Sequence, residues 1–209
     1  MLALGKERLQ GRVTVEDIPS GHRFLTTIMD AMTECRELRL SYRKYTSQEA
    51  GSYTVRPYAV KEAGRRWYLI GYCVERDGLR VYGLDRVMEI SETGRTFRMN
   101  KDFDVDELFA TSFGIYLPEG PGRTITFRTG MKNARYLRDL PIHKSQEEIA
   151  SDGESVTFSI FVCPDKALIM EFCKYGSSIE VLSPESVREA VADELSHACE
   201  IYAPKTKDN

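Results

Sequence analysis

The spacing of apolar residues changes from a helical to a strand period at Leu38, and this change restricts the possible folds more than any other feature of the sequence. Across residues 22–38, apolar side chains recur every three or four positions, which places them on one face of a helix. From Leu38 to about residue 99, short β-branched and aromatic segments alternate with glycine-containing turns, of which Asp77-Gly78 is the best hairpin signal. The pattern predicts a helix followed by a small β-barrel or strongly bent antiparallel sheet.

The second half of the chain has a different order of elements. Gly120, Pro121 and Gly122 mark the best domain boundary, and the patterns beyond it predict β-α-β-β-α-β followed by a last helix. That order predicts a ferredoxin-like domain, so the whole chain is expected to be α+β. The predicted divisions are a leader at 1–22, a barrel domain at 23–119 and a C-terminal domain at 120–209. The buried stripe predicted for the last helix consists of Val187, Val191, Leu195, Ala198 and Tyr202.

Composition and motifs exclude several classes of protein. With 42% hydrophobic and 29% charged residues, the chain resembles an ordinary soluble globular protein. It has no apolar run long enough for a bilayer and no secretory signal pattern, which predicts a cytoplasmic location. The five cysteines form no C-x-x-C pair, and the three histidines lie in different predicted elements. We therefore expect no catalytic residues, no metal site and no cofactor.

Arginine and tyrosine are concentrated in the predicted barrel, although the net charge of the whole chain is −3. Between Arg36 and Arg86 there are eleven basic residues against six acidic ones, and nine of the eleven are arginine. Seven of the eleven tyrosines fall in the same region. Guanidinium groups bind phosphate or carboxylate through paired hydrogen bonds, and tyrosine rings offer stacking faces for bases. This composition is typical of a surface that binds an anionic, ring-containing ligand.

Strand alternation places arginine and tyrosine together on one face of three predicted strands. If the three faces coincide, they form an arginine-lined surface with a tyrosine floor. The alternative is that the tyrosines are core or cross-strand pairs and that the arginines are simply solvated. Trp67 shares a face with Leu69 and is assigned to the barrel core, together with Leu84. The three sets are Arg56 with Tyr58, Arg66 with Tyr68 and Tyr72, and Arg80 with Tyr82.

Several separated motifs of the chain resemble a known family of proteins. The segments of the first half, in order, are "LSYRKY", "VRPYAVKE", "RWYLIGY" and "YGLDRV". They resemble the WYL-domain family, which is named for the triplet that stands here at Trp67-Tyr68-Leu69. The second half is similar to the WCX extension that usually follows it, in "YLRDLPIHKSQ", "DGESVTFSIFV" and "YGSSIEVLSPESVREAV". The resemblance covers roughly residues 23–203.

The resemblance implies a bacterial transcriptional regulator. In that family an N-terminal winged helix-turn-helix reads duplex DNA, an SH3/Sm-like barrel senses a ligand, and the extension assists dimerisation or regulation. The implied partners are single-stranded nucleic acid or a nucleotide-like ligand, and a second copy of the chain. Gly83 stands where the family often has arginine, which removes one expected ligand contact. The implied ligand-binding residues are Tyr42, Arg43, Arg56, Arg66, Tyr68, Arg80 and Arg86.

About twenty residues precede the predicted helix, which is too few for a winged helix. The expectation is therefore either a piece of a longer regulator or a family member without its own DNA reader, so that duplex DNA is contacted only through a missing N-terminal domain. The leading hypothesis is a ligand-sensing and dimerising region of a WYL-type regulator. The alternative is a protein-interaction or oligomerisation module that binds no nucleic acid.

Overall fold

The computed structural model describes residues 21–203, and the chain divides into two compact units at 1–101 and 102–209. Each unit contains an antiparallel sheet and at least one helix, which confirms the predicted α+β class. The predicted leader at 1–22 lies almost entirely outside the described residues. Among the described helices, none combines the length and the apolar character that crossing a bilayer requires.

The first unit is a helix on a five-stranded antiparallel sheet. The hydrogen-bonded order of its strands is β4-β3-β2-β1-β5, and a 3₁₀ turn at Leu84–Arg86 connects the two outermost strands. The predicted change of period at Leu38 therefore marks a true change from helix to sheet. The elements are α1 (Leu25–Thr33), β1 (Arg36–Arg43), β2 (Ala50–Ala63), β3 (Arg66–Cys73), β4 (Gly78–Gly83) and β5 (Val87–Thr96).

The core of the first unit lies between α1 and the inner face of the sheet. Ile28 and Ala31 of α1 are fully buried against alternate residues of the strands, among them Leu38 and Val55. This alternation explains the strand period of the sequence, because every second side chain of a strand is buried in the apolar core. The residues that the sequence assigns to the core occupy this cluster, with Leu69 and Leu84 buried and Trp67 partly buried.

Gly21 holds the start of the described chain against the Leu84–Arg86 turn. Its φ of 129° lies in a region that favours glycine. A Cβ atom at this position would lie 2.4 Å from the carbonyl carbon of Leu84 and 2.5 Å from the nitrogen of Asp85. These are backbone atoms that no rotamer change can move aside. Only glycine therefore fits between the entering chain and the turn.

Glu75 connects strand β2 to the 3₁₀ turn Val74–Arg76. Both of its carboxylate oxygens accept a hydrogen bond from the backbone N–H of Thr54, at 2.9 and 2.8 Å. Partial burial acts to raise the pKa of Glu75, but hydrogen bonds from Thr54 outweigh it, so the pKa lies below the ordinary 4.5. The ionised carboxylate is therefore the form that stabilises this connection.

We expect Glu75→Gln to lower the melting temperature by about 2 °C at pH 7 and to leave it unchanged near pH 3. A carboxyl with a depressed folded-state pKa stabilises the fold above its unfolded pKa of 4.5, and this contribution disappears as the pH falls through the folded value. Thermal unfolding followed by circular dichroism at both pH values tests this. Glu89→Gln, at an exposed glutamate of β5, is the control. An equal loss at both pH values would contradict a role for the charge.

The second unit has the order β-α-β-β-α-β followed by a long helix. Its four strands are all antiparallel, in the order β7-β8-β6-β9, which confirms the predicted ferredoxin-like plan. Phe127, Phe158 and Phe172 form the centre of its core. The elements are α2 (Val105–Leu108), β6 (Arg123–Gly130), α3 (Met131–Asp139), β7 (Glu147–Ser151), β8 (Ser155–Val162), α4 (Lys166–Lys174), β9 (Ile179–Ser183) and α5 (Glu185–Tyr202).

Two observations in the second unit concern segments that the sequence analysis assigned. The segment 102–119, assigned there to the barrel domain, groups with the second unit, where the N–H of Cys163 donates to the carbonyl of Thr111 at 2.7 Å. The three-part division of the chain stays a prediction. Tyr202 was predicted to be buried, and this is wrong, because its side chain is 86% exposed at the end of α5. On the packed side of α5, Val187 is buried and Leu195 is only half-buried.

Candidate functional site

Three tyrosines from three strands form the base of the candidate site. Tyr42 of β1, Tyr53 of β2 and Tyr82 of β4 contact one another through tilted or edge-on rings, with centroids 5.2 to 6.4 Å apart. Such arrangements are favoured by the quadrupoles of the rings. Burial raises the pKa of both Tyr42 and Tyr82 above the ordinary value of 10.0. Both phenols are therefore neutral at physiological pH and act as a fixed aromatic floor.

Two guanidinium groups lie over this floor. The Arg86 guanidinium lies 5.1 Å from the ring centroid of Tyr42 and 4.6 Å from that of Tyr45. Arg76 lies 5.0 Å from the ring centroid of Tyr53, and its Nη2 donates to the Tyr53 hydroxyl at 3.2 Å. A cation over a ring face is attracted by the ring quadrupole. The tyrosine floor therefore carries positive charge at two places.

Tyr45, Arg66 and Asp85 form a hydrogen-bonded group at the edge of the floor. The Nη1 of Arg66 donates to the Tyr45 hydroxyl at 2.8 Å, and that hydroxyl donates to Oδ2 of Asp85 at 3.1 Å. The same Nη1 lies 3.3 Å from the same carboxylate oxygen. We call the whole assembly the tyrosine–arginine cluster. Its members are Tyr42, Tyr45, Tyr53, Tyr82, Arg66, Arg76, Asp85 and Arg86.

Three buried polar side-chain atoms of the cluster make no hydrogen bond to any described residue. They are the Oη of Tyr82, the Nε of Arg86 and the Oδ1 of Asp85. The last two lie beside Gly83, where a Cβ atom would be 3.1 Å from the Nε and 2.7 Å from the Oδ1. The absence of a side chain at Gly83 thus gives these two side chains room. A buried polar atom without a partner costs about 1–3 kcal/mol, which a ligand that pairs with it recovers.

Five of the seven residues predicted to bind ligand lie on the inner face or at the strand ends. Tyr42, Arg66 and Arg86 belong to the tyrosine–arginine cluster. Arg43 is exposed at the end of β1. Arg80 is exposed on β4, where its guanidinium donates to the carbonyls of Leu79 at 2.6 Å and Arg76 at 3.5 Å. The structure therefore brings three of the predicted residues together and leaves Arg43 and Arg80 outside the cluster.

Arg56 and Tyr68 lie on the opposite face of the sheet. Arg56 is directly opposite Tyr72 in the β2–β3 ladder, and its Nε is 3.3 Å from the buried carboxylate of Glu37. Because Leu69 pairs with Tyr82, the neighbouring Tyr68 must face the other side of the sheet. The face with Tyr68 and Tyr72 and the face with Arg80 and Tyr82 therefore do not coincide.

Five members of the cluster are not among the seven residues predicted to bind ligand, although strand alternation had already placed one of them, Tyr82, on the same face as Arg80. Tyr45 follows β1, Arg76 lies in a 3₁₀ turn and Asp85 in another, so strand alternation does not apply to them. Tyr53 lies in β2, and its position opposite Leu40 follows only from the strand register. A useful sequence signal would have been the Asp85-Arg86 pair after a β-strand, which presents an acceptor and a donor side by side. Within residues 21–203 no group of three acidic, histidine or cysteine side chains could hold a metal ion.

The fold and the cluster together define a chain of two α+β units, the first of which carries a partly buried aromatic and basic site. Comparison with protein families matches the WYL domain to residues 23–92 and the WCX domain to residues 121–199. The chain therefore belongs to the proteins that combine a WYL domain with a WCX domain, as the sequence motifs indicated. All eight members of the cluster fall within the WYL match.

Curated relatives share this region at low identity. Protein PafB of Mycobacterium tuberculosis (strain ATCC 25618 / H37Rv) is 27% identical over 176 residues, which are 82% of this chain and 51% of PafB. The uncharacterized HTH-type transcriptional regulator YobV of Bacillus subtilis (strain 168) is 23% identical over 160 residues, covering 70% of this chain and 45% of YobV. The chain thus spans about half the length of these relatives.

Two solved structures are also similar. Proteasome accessory factor B/C (PafBC) of Arthrobacter aurescens has a TM-score of 0.38 at 23% sequence identity, covering 94% of this chain and 30% of that one. A CRISPR Cas-related protein has a TM-score of 0.49 at 13% identity, covering 85% of this chain and 50% of that one.

Proposed function

We propose that this chain is the ligand-sensing region of a bacterial WYL-type transcriptional regulator and that it has no catalytic activity. The proposed ligand is single-stranded nucleic acid or a nucleotide-like anion, bound at the tyrosine–arginine cluster. The observation that carries the proposal is Arg86, which lies over two tyrosine rings with a buried Nε–H that has no partner among the described residues. A guanidinium held in this way offers a fixed donor to a planar acceptor.

The surroundings of Arg86 suit a nucleic-acid strand. Arg66, Arg76, Arg43 and Arg80 are partly or fully exposed along the strand ends, where they can neutralise phosphates. Exposed tyrosine provides a stacking face that accepts any base. The relative YobV bears the name of an HTH-type transcriptional regulator, which supports a regulatory role for this region. Under this proposal the described units sense the ligand, pair as a homodimer in the cytoplasm, and do not read duplex DNA.

A fluorescently labelled single-stranded oligonucleotide is expected to bind the protein with a dissociation constant that rises steeply with salt. If about three phosphates are neutralised, the logarithm of the association constant should fall with the logarithm of the salt concentration at a slope of about −2. Fluorescence anisotropy between 50 and 300 mM NaCl, concentrations chosen around physiological ionic strength, measures it. The duplex of the same length serves as the comparison. Flat titrations at the lowest salt would refute nucleic-acid binding.

A protein-interaction module is the second candidate. The observation in its favour is the end of α5, where Ile201 and Tyr202 are 65% and 86% exposed. Large apolar side chains exposed together are typical of surfaces that pack against a partner. This candidate predicts that no oligonucleotide binds at any salt concentration, so the same titration separates the two functions.

A further inference from the structure

Tyr45 is an exposed member of the tyrosine–arginine cluster, and it contacts three other members. It lies in the turn between β1 and β2, outside any strand, and is 71% exposed. Nevertheless its ring lies 4.6 Å from the Arg86 guanidinium, closer than the buried ring of Tyr42. Its hydroxyl both accepts from Arg66 and donates to Asp85. The side chain is therefore held by polar contacts and a cation rather than by apolar packing.

The Tyr45 side chain makes contacts of kinds that a nucleobase could also make at this place. Its ring provides a π face to a cation, and its hydroxyl provides one acceptor and one donor at the ring edge. Tyr45 contacts both Arg86 and Asp85, yet the Nε–H of Arg86 and the Oδ1 of Asp85 have no partner among the described residues. The phenol has only one polar atom with which to pair. A base edge carries several adjacent donors and acceptors and could pair with both atoms.

The charges of the cluster also discriminate between base and phosphate. Asp85 is mostly buried beside Arg86, with its Oδ1 next to the same Gly83 position as the Arg86 Nε. A phosphate placed against this Nε would approach the carboxylate, which like-charge repulsion disfavours. A neutral ring with a donor and an acceptor meets no such repulsion. Arg86 is therefore suited to a base, whereas the exposed arginines are suited to phosphates.

We infer that Tyr45 occupies the place of a nucleobase, and that the ligand binds by displacing the Tyr45 ring from Arg86 with a base of its own. The inference rests on the proposed function and specifies the group that Arg86 recognises. The exchange replaces one ring over the cation with another and pairs the two buried atoms that Tyr45 leaves unpaired. Because the free protein must first release Tyr45, this contact lowers the apparent affinity for the ligand.

The test compares two labelled single-stranded oligonucleotides of equal length and charge, one of thymidines and one with abasic sites at its central positions. Tyr45→Ala is expected to bind the thymidine strand about tenfold more tightly than the wild type, because the competing ring is gone. The affinity of Tyr45→Ala for the abasic strand should stay within about twofold of the wild-type affinity, which is the scatter expected when no interaction changes. Tyr45→Phe keeps the ring but loses both hydroxyl contacts, and an intermediate gain is expected.

Tyr136→Ala is the matched control, because this exposed tyrosine of α3 lies in the other unit. Weaker or unchanged binding of the thymidine strand by Tyr45→Ala would overturn the inference, since Tyr45 would then be a stacking platform or a bystander. An equal gain for both strands would also overturn it, because Arg86 would then bind phosphate. If the wild type and all variants bind neither strand, the proposed function itself fails.

Discussion

Replacing Arg86 with alanine is expected to weaken oligonucleotide binding about 100-fold. The variant loses the donor that lies over Tyr42 and Tyr45, and it leaves the carboxylate of Asp85 with less positive charge nearby. An arginine at the centre of a binding site often contributes about 2 kcal/mol or more, and about 2.7 kcal/mol corresponds to 100-fold. Fluorescence anisotropy at fixed ionic strength measures the change.

Arg98→Ala provides the control for charge alone, because Arg98 is exposed beyond the end of β5. We expect it to change the affinity by no more than about threefold, as one exposed charge does. Arg86→Lys keeps the charge but not the planar fork, so its affinity should lie between that of the wild type and that of Arg86→Ala. Equal losses for Arg86→Ala and Arg98→Ala would mean that net charge, and not the cluster, determines binding.

Gly71→Ala is expected to destabilise the first unit by about 3 kcal/mol. Gly71 is buried in β3, which is hydrogen-bonded to a neighbouring strand on each side. A Cβ atom there would lie 2.5 Å from the Cγ1 of Val55 and 2.8 Å from the carbonyl oxygen of Arg56. The carbonyl belongs to the ladder and cannot move without breaking it, so the extra methyl group strains both strands.

Chemical denaturation followed by circular dichroism measures this loss. Gly130→Ala is the control, since a Cβ atom at Gly130 meets no atom within 4 Å and its φ of −69° suits alanine. It should change the free energy of unfolding by no more than about 0.5 kcal/mol. If Gly71→Ala were tolerated equally well, the close packing of β3 against β2 would be disproved.

The element types of both units could be predicted because each depends on local periodicity. The strand alternation after Leu38 reflects a sheet with one face on the core, and the helical spacing before it reflects α1. The order of elements after Gly122 was enough to predict the ferredoxin-like topology, because short connections between elements allow few topologies. The exposure of Tyr202 could not be predicted because the apolar stripe of a helix does not reveal where the surface beneath it ends.

The cluster could be predicted only in part because it depends on register and on turns. A bulge between Pro57 and Ala59 shifts the pairing of β2 with β3. Simple alternation counted from the start of β2 therefore does not predict on which face of the sheet the residues after Pro57 lie. Tyr45 and Asp85 meet across 40 positions of sequence through two turns. Composition indicated that arginine and tyrosine act together, but only the three-dimensional structure shows which of them meet.

The backbone of Gly21 packs directly against the Leu84–Arg86 turn. Leu84 and Asp85 lie at van der Waals distance from Gly21, and Arg86 is the next residue of the same turn. A displacement of that turn large enough to re-aim the Arg86 guanidinium must push on the backbone of residue 21. The position of the backbone at Gly21 is thus coupled to the position of Arg86 in the tyrosine–arginine cluster.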